Sequence, residues 1–367
     1  MHLPRLTSIG VGGFKSIREL QPLELRPVNV LVGANGSGKS NLISLLKLLN
    51  AIPNRGVQEF VGLAGGSNTL LHYGVRETQS MWVSFDFVGK TGGIKYFSYL
   101  KDTGNDSLIF SDEQLDSRMV AGSAPRREKL GSGHKESLLV SDDGQHQEVC
   151  GLLSGIGVFD FDEFGPRAAI RRRGYIEDNR NPRSDAGNLA AFLSGLRQRQ
   201  PGSYRRIIEI IQLILPFFED FDLAPVATDA NSILLNWRDR HSNYLFGPHQ
   251  LSSGALRAMA LVTLLGQPEE ELPGVIALDE PETGLHPYAM EIIASLIKGA
   301  SIHRPIILAT QSVELVNRFS PEDVITVTRE DGQSVFKRQD SESLRVWLDD
   351  YSMGELWSKN LIGGTPI

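Results

Sequence analysis

The sequence predicts an α/β fold, and three of its features lead to this prediction. The apolar run Val28–Val32 is followed by a glycine-rich loop and by an apolar helix over Asn41–Leu49. A second apolar run, Val275–Leu278, ends in two adjacent acids. From about Leu251 onward, apolar runs of strand length alternate with segments at helical spacing. Alternation of strands with helices is typical of a sheet that contains parallel strands.

The composition bounds what kind of protein this is. The 367 residues, 41% hydrophobic and 22% charged, are enough for one large or two ordinary domains and argue against wholesale disorder. The formal net charge is −7. A protein that holds nucleic acid over its whole surface is usually basic, so any nucleic-acid contact must be local.

The cysteine content and the apolar runs suggest a compartment. Cys150 is the single cysteine of the chain, which excludes an internal disulfide, and its apolar surroundings predict a buried, inert thiol. The N-terminus has no apolar signal core, and no apolar run has the ~20 residues needed to span a bilayer. We therefore expect a cytoplasmic protein without a membrane contact.

The glycine-rich loop fits the phosphate-loop pattern in full, with the sequence Gly33-Ala34-Asn35-Gly36-Ser37-Gly38-Lys39-Ser40. Glycines at this spacing let backbone N–H groups turn toward phosphates, and the following helix adds its positive N-terminal end. We expect Lys39 to reach the β- and γ-phosphates of ATP and the Ser40 hydroxyl to bind Mg²⁺. Asn41, at the start of the helix, is a further expected nucleotide contact.

The acids Asp279 and Glu280 come directly after the second apolar run. Ligands collect at the carboxyl end of a parallel sheet, where both acids are expected to lie. We expect Asp279 to hold Mg²⁺ and Glu280 to polarise the attacking water.

The segment Leu251-Ser252-Ser253-Gly254-Ala255 opens a predicted helix just upstream of these acids. A serine N-cap explains it as well as a functional motif does. The amide-rich start of a helix is also a ready anion site.

In this order, these motifs resemble those of ABC-type ATPase heads. Asp279-Glu280-Pro281-Glu282-Thr283-Gly284-Leu285-His286-Pro287 is similar to the SMC/RecF/OLD-like branch, and so are Phe14-Lys15-Ser16-Ile17 and Asn29–Gly33. The ending Tyr351–Trp357 resembles stand-alone predicted ATPases of this type. The resemblance covers both ends of the chain better than its middle. It implies an ABC-type P-loop NTPase head, a mixed β-sheet core flanked by helices, with an inserted α/β lobe.

The resemblance also implies an assembly and site roles. Two chains would sandwich two ATP molecules in a homodimer or higher homo-oligomer. Ser252, Ser253 and Gly254 would contact the nucleotide held by the other chain, and Glu282–His286 would communicate across the dimer. Gln311 stands where a histidine is more usual, and glutamine has no titratable proton. We therefore expect slow hydrolysis that does not follow a histidine pKa. The strand Gly157–Phe161, with Asp160 or Asp162 nearby, is the candidate for the glutamine loop of this family.

We expect a division of the chain into four segments. Residues 1–50 and 244–340 form the two halves of the ATPase core, residues 51–243 the inserted lobe, and residues 341–367 a C-terminal tail. The tail is too short for the nuclease domain that some OLD-like relatives carry, so nuclease or toxin activity would come from an effector partner.

Local patterns predict the elements outside the motifs. Leu3–Leu25 should form short strands broken at Gly12-Gly13, and Asp102–Lys135, rich in glycine and charge, should be a mobile polar loop. Helices are expected over Gly187–Arg199 and over Ser203–Leu215, with Ser203 as the N-cap of the second.

The span from Arg167 to Arg206 is strongly basic within an acidic chain. It contains ten arginines and only three acids. The arginines are Arg167, Arg171, Arg172, Arg173, Arg180, Arg183, Arg197, Arg199, Arg205 and Arg206, and the acids are Glu177, Asp178 and Asp185. Such a patch is a candidate DNA-backbone contact. A solvated face, or pairing with acids elsewhere, explains it equally well.

Three functions remain open from the sequence. The preferred one is an Mg²⁺-dependent ATPase that dimerises around ATP, and the resemblance implies a setting in DNA maintenance or defence against foreign DNA. The second is a scaffold in which ATP is a structural ligand and hydrolysis is incidental. The third, less favoured, is the ATPase subunit of a transporter.

Overall fold

The computed structural model describes residues 5–89, 92–119, 126–141, 144–161 and 164–365. The strands are β1 Arg5–Phe14, β2 Ile17–Glu24, β3 Val28–Val32, β4 Ser80–Gly89, β5 Gly92–Asp102, β6 Leu108–Met119, β7 Arg126–Gly131, β8 Ile156–Asp160, β9 Gly174–Tyr175, β10 Phe218–Asp222, β11 Pro225–Val226, β12 Asp229–Ile233, β13 Asn236–Asp239, β14 Ser242–Phe246, β15 Val275–Asp279, β16 Ile306–Thr310, β17 Val324–Glu330 and β18 Gln333–Arg338. The helices are α1 Lys39–Ala51, α2 Val57–Leu63, α3 Ser67–Leu70, α4 Gly144–Ser154, α5 Leu189–Arg199, α6 Pro201–Ile214, α7 Ser253–Gly266, α8 Pro287–Ser301, α9 Val313–Val316, α10 Ser341–Leu348 and α11 Met353–Ser358.

The central sheet has the strand order β18-β17-β3-β16-β15-β8. The strands from β17 to β8 run parallel. β18 returns antiparallel to β17 through the turn at Asp331-Gly332. The carboxyl ends of β3, β16, β15 and β8 therefore meet at one edge of the sheet.

Both faces of this sheet are covered, which explains why its strands are continuous apolar runs. Alternate residues of β3 enter different cores: Val30 packs in the core formed with α5 to α8, and Leu31 in the core formed with α1 and α4. β16 divides in the same way, with Leu308 on one side and Ile307 on the other.

A second sheet is antiparallel, with the order β2-β1-β4-β5-β6-β7. Within it, Met81–Phe87 of β4 pairs with Ile94–Leu100 of β5. Two smaller antiparallel sheets, β10-β13-β14 and β11-β12-β9, precede α7 in the chain.

The prediction of a mobile loop over Asp102–Lys135 is wrong, because β6 and β7 lie there and pair with each other. A bulge at Ser111 shifts the alternation of buried positions, and the next buried position is the acidic Glu113. This polar residue hides the strand pattern from a reading of hydrophobicity alone.

Glu113 is buried but fully supplied with donors. Its carboxylate accepts from the Tyr96 hydroxyl at 2.6 Å, from the Leu138 N–H at 3.0 Å and from the Ser137 hydroxyl, and it lies 2.8 Å from His134 Nε2. Burial, together with this carboxylate, raises the pKa of Tyr96. A buried acid with several donors holds its neighbours in one arrangement.

Two smaller predictions are also wrong. The break between the first strands lies at Lys15-Ser16, whereas Gly12 and Gly13 belong to β1. A Cβ on Gly12 would lie 2.2 Å from Trp82 Nε1, so the glycine there admits the indole of β4. Ser203 is not an N-cap, because α6 begins two residues earlier at Pro201, whose fixed φ suits the first helical position.

The division at residues 50 and 244 stays a prediction, and the sheets cut across it. β8 comes from the middle segment but pairs with β15 in the central sheet. β4 to β7 complete the sheet that β1 and β2 begin. The C-terminal segment is anchored as well, since Leu356 and Trp357 are buried in the core beside α7 and α8.

Among the residues that the structure describes, no helix has both the length and the apolar character needed to cross a membrane.

Replacing Glu113 with Ala should lower the free energy of unfolding by about 2–4 kcal/mol, because buried hydrogen-bond donors would be left without an acceptor. Urea unfolding followed by circular dichroism measures this. The matched control is Glu19→Ala on β2, an exposed acid whose loss should change stability by no more than about 0.5 kcal/mol. Equal stabilities of the two variants would contradict the assignment.

Candidate functional site

The register of the parallel strands brings the predicted motifs together. Val32, the last residue before the phosphate loop, pairs with Thr310, and Ala309 pairs with Asp279. Asp279 in turn pairs with Asp160 at the end of β8. The phosphate loop, Gln311 and the two acids thus line one edge of the sheet. Asp162, the other candidate near the glutamine-loop position, lies outside the described residues.

The phosphate loop closes on its own lysine. Lys39 Nζ donates to the carbonyl of Gly33 at 2.6 Å and to that of Ala34 at 2.9 Å. Gly38 has a φ of 114°, and a Cβ there would lie 2.0 Å from Ser334 Oγ, so only glycine fits. α1 begins at Lys39, which directs its first N–H groups into the loop.

The loop is braced from outside by residues that the sequence did not reveal. Ser334 Oγ donates to the carbonyl of Ser37 at 2.6 Å and lies 2.6 Å from Ser16 Oγ. Asn41, expected to contact nucleotide, donates through its side chain to the same Ser16 hydroxyl at 2.6 Å. The two contacts of Ser334 join residues more than 290 positions apart, and no local pattern in the sequence signals them.

Asp279 and Ser40 are direct neighbours. Burial raises the pKa of Asp279, while a hydrogen bond with the Ser40 side chain opposes the shift. Asp279 Oδ1 is buried and has no hydrogen-bond partner within the described residues. A carboxylate oxygen without a donor, beside a hydroxyl, is the hard oxygen set that Mg²⁺ prefers.

A fully protein-built metal cage is absent from the described part of the chain, where no group of three or more His, Cys, Asp or Glu side chains is arranged for a metal. Mg²⁺ usually binds through one or two protein ligands together with phosphates and waters. Ser40 and Asp279 therefore fit Mg²⁺ that arrives with a nucleotide.

Burial and nearby carboxylates have opposite effects on the pKa of Lys39. Burial lowers its pKa, and the nearby carboxylates of Glu280, Asp279 and Glu282 raise it in the opposite direction. The hydrogen bonds of its ammonium within the described residues go to carbonyl oxygens of the loop. A triphosphate could replace these carbonyls with charged oxygens, which make stronger hydrogen bonds.

Glu280 follows β15 in an unusual backbone conformation, with a φ of 43°. A non-glycine residue in this region costs of order 1–3 kcal/mol and persists only where neighbours enforce it. Its N–H donates to the Ala309 carbonyl at 2.9 Å, and its carboxylate accepts from Gln311 Nε2. Gln311 therefore holds the expected catalytic acid directly.

The segment Leu251–Ala255 forms the signature turn, and α7, the helix that it opens, is the signature helix. Ser252 caps α7 by accepting from the Ala255 N–H at 3.1 Å, and Ser252 and Ser253 are exposed. A Cβ on Gly254 would lie 2.2 Å from the Gly284 carbonyl, so this helix start packs on the loop Glu282–His286. In the described residues, no hydrogen bond connects the signature turn with the phosphate loop of the same chain.

Arg257, which sequence reasoning missed, reinforces this packing. It is buried on α7 and donates to the Thr283 carbonyl, and at 2.7 Å to the Phe161 carbonyl beyond β8. It therefore joins the signature helix to the loop after the acids and to the strand at the far side of the site. A buried arginine within an apolar helix was the available signal.

One of the ten arginines has a structural role. Arg171 is buried and donates to the carbonyls of Phe164, Gly165, Pro248 and Leu251. Arg171 therefore fixes the segment that leads into the signature helix. Because it is buried, it is not part of the candidate DNA contact. The other nine are exposed, although Arg183 pairs with Asp178 at 3.6 Å and Arg199 with Glu271 at 3.9 Å.

Comparison with known families identifies the family to which this chain belongs. The family model described as "AAA domain, putative AbiEii toxin, Type IV TA system" matches residues 28–317, a span from the strand before the phosphate loop to beyond Gln311. The chain belongs to this AAA_21 family.

Solved structures agree on the fold of this AAA_21 protein. An SMC head bound to the C-terminal winged-helix domain of ScpA matches with a TM-score of 0.59 and 15% identity, over 93% of this chain and 99% of that one. The SMC head of Pyrococcus furiosus with an extended coiled coil, bound to the C-terminal domain of ScpA, matches with a TM-score of 0.59 and 13% identity, over 95% and 99%. The fold is that of an ABC/SMC-like ATPase head, as predicted.

Curated relatives match over a short stretch. The energy-coupling factor transporter ATP-binding protein EcfA2 of two Staphylococcus epidermidis strains is 39% identical over 80 residues, which is 21% of this chain. The match spans 27% of the length of EcfA2. The chain therefore spans only about a quarter of the length of these relatives.

Replacing Lys39 with Ala should weaken ATP binding by about 100-fold or more, because it removes the cation buried at the phosphate position. Calorimetric titration with Mg-ATP measures this. Lys47→Ala is the matched control, since Lys47 lies in the same helix about 12 Å further along its axis. ATP binding by Lys39→Ala as tight as that of the parent would contradict the site.

Proposed function

We propose that this chain is an Mg²⁺-dependent ATPase that forms an ATP-sandwiched, head-to-head dimer and acts as a nucleotide switch. The position of the signature turn carries this proposal. Ser252 and Ser253 are exposed at the start of α7, which packs on Gly284, and within the described residues no hydrogen bond joins them to the phosphate loop of their own chain. The start of a helix attracts anions, and a second copy would bring the phosphates.

The roles of the residues follow from their contacts. Lys39 would hold the β- and γ-phosphates, and Ser40 and Asp279 would hold Mg²⁺, which neutralises charge on the phosphates when bound. Glu280 would orient the attacking water while Gln311 holds its carboxylate. Because Gln311 has no titratable proton, turnover should be slow and should not follow a histidine pKa.

We further propose that the switch controls an effector partner in DNA maintenance or in defence against foreign DNA. The description of the family names a toxin of a toxin–antitoxin system. The two SMC heads were solved with domains of their partner ScpA. Both observations concern relatives, and they support a head that works through another protein.

Two alternatives have some support. Gln311 at the position of the usual histidine favours an ATP-binding scaffold in which hydrolysis is incidental. The short match to EcfA2 would fit a transporter subunit, but it covers only 27% of the length of EcfA2.

The variant Glu280→Gln separates the first two functions. It removes the carboxylate that orients water but keeps Lys39, Ser40 and Asp279, so ATP binding should persist while turnover falls by about 100-fold or more. Size-exclusion chromatography with light scattering should show a dimer with Mg-ATP and a monomer without it.

Glu270→Gln, at an exposed acid away from this edge, is the control and should behave as the parent does. If Glu280→Gln stays monomeric at saturating Mg-ATP, the sandwich dimer is wrong. If the parent binds ATP without turnover, and Glu280→Gln still supports the biological function of the parent, the chain is an ATP-binding scaffold.

We also propose that the exposed arginines between Arg167 and Arg206 contact the backbone of duplex DNA. Arg205 and Arg206 are exposed on α6, and Arg172 and Arg173 on the loop before β9. Arginine suits bidentate recognition of phosphate. Aromatic residues are sparse in this span, so the contact would be to the backbone and not to stacked bases.

The double variant Arg205→Ala/Arg206→Ala should weaken duplex binding at every sequence tested. The slope of log affinity against log salt between about 50 and 200 mM should decrease by about 2, because two phosphate contacts are lost. Fluorescence anisotropy measures both quantities. Arg76→Ala/Arg345→Ala, two exposed arginines outside the patch, is the control. Binding that does not depend on salt would exclude the patch.

A further inference from the structure

Glu282 lies inside the site but has no role in the function proposed above. It sits in the turn after the catalytic acids, and its side chain returns to the end of β16. Its Oε1 accepts from the Thr310 hydroxyl at 2.5 Å and from the Gln311 N–H at 3.2 Å. Its Oε2 is buried and has no hydrogen-bond partner in the described residues.

Gln311 is therefore held at two points by two different carboxylates. Its backbone N–H donates to Glu282, and its side-chain amide donates to Glu280. The Thr310 hydroxyl that donates to Glu282 also accepts from the Ser312 N–H at 2.9 Å, which shapes the turn beyond β16. Ser312 then caps α9 by accepting from the Leu315 N–H at 3.1 Å.

We propose that Glu282 is a positioning residue that fixes the backbone of Gln311, so that the Gln311 amide holds the Glu280 carboxylate in place for hydrolysis. The proposal rests on the ATPase function proposed above and assigns Glu282 to the same site. Glu282 acts through Gln311 and does not itself contact the water or the phosphates. Its effect should therefore fall on turnover, and ATP binding should be spared.

The chain offers a matched control for this role. Glu322 also accepts through one oxygen from a hydroxyl and a backbone N–H, those of Ser341. It precedes β17, and β17 runs parallel to β3, so Glu322 lies at the opposite edge of the sheet. Glu322→Ala thus removes a similar pair of hydrogen bonds far from the nucleotide.

Glu282→Ala should lower kcat by about 10- to 100-fold at an unchanged KM for ATP, because a small displacement of a catalytic group has effects of this size. Glu282→Gln keeps an acceptor oxygen and should restore most of the turnover. Glu322→Ala should leave both constants as in the parent. A loss in Glu282→Gln as large as that in Glu282→Ala would overturn the proposal.

A double variant tests whether Glu282 acts through Gln311. In a Gln311→Ala background, Glu282→Ala should lower kcat no further, because the amide that it positions is already gone. The same fold-loss in both backgrounds would show independent action and would overturn the proposal.

Hydrogen exchange tests the contact without any need for turnover. Amides of residues 310–312 should exchange faster in Glu282→Ala than in the parent, while those of α1 should be unchanged. Unchanged exchange at residues 310–312 would overturn the positioning role. A different outcome is also informative: the parent hydrolyses no ATP, but the amides of Glu282→Ala still exchange faster. This result would overturn the proposed ATPase function and would leave the structural contact in place.

Discussion

The parallel register of β3, β16 and β15 is the constraint on which the rest of this structure depends. It sets Val32 beside Thr310 and Ala309 beside Asp279, and so places the phosphate loop, Gln311 and the acids at one edge. Neighbouring residues of each strand enter two different cores. A shift of one residue would therefore exchange the faces of a whole strand, and the two cores would lose their packing together with the site. Stability and site geometry are protected by the same burial.

The edge that this register creates is electrostatically incomplete. Burial disfavours the charged forms of both Lys39 and Asp279, and the carboxylates around Lys39 offset its burial only in part. Two buried oxygens that have no partner among the described residues, Asp279 Oδ1 and Glu282 Oε2, add to the cost, and so does the positive φ of Glu280. Polar groups that a fold leaves unsatisfied at one edge are typical of a site that is completed by its ligand.

The sequence predicted the parts of this site that depend on local geometry. A phosphate loop needs glycines at fixed spacing within a few residues, and the acids follow directly from a buried strand, so both are visible in the chain order. Glu113 in β6, Arg171 beneath the signature helix and Ser334 against the phosphate loop were missed for one reason. Each is a polar residue that hydrogen-bonds to other segments of the chain, and hydrophobic periodicity carries no information about such partners. The Trp82 indole over Gly12 is a further example, because a glycine in a strand was interpreted as a break.

The turn from Glu280 to His286 connects both halves of the site within one chain. Its first residue is the expected catalytic acid, Glu282 reaches the end of β16, and the Thr283 carbonyl accepts from Arg257 of the signature helix. Gly284 packs on Gly254, where no side chain could be accommodated without a shift of the backbone. A movement of the signature helix must therefore move this turn, and the turn holds Gln311 and, through it, Glu280. In the proposed dimer, the nucleotide held by the second chain would dock on the signature turn of the first chain. Its docking would thus affect the position of Glu280 in the first chain through contacts between packed groups, without a long-range rearrangement.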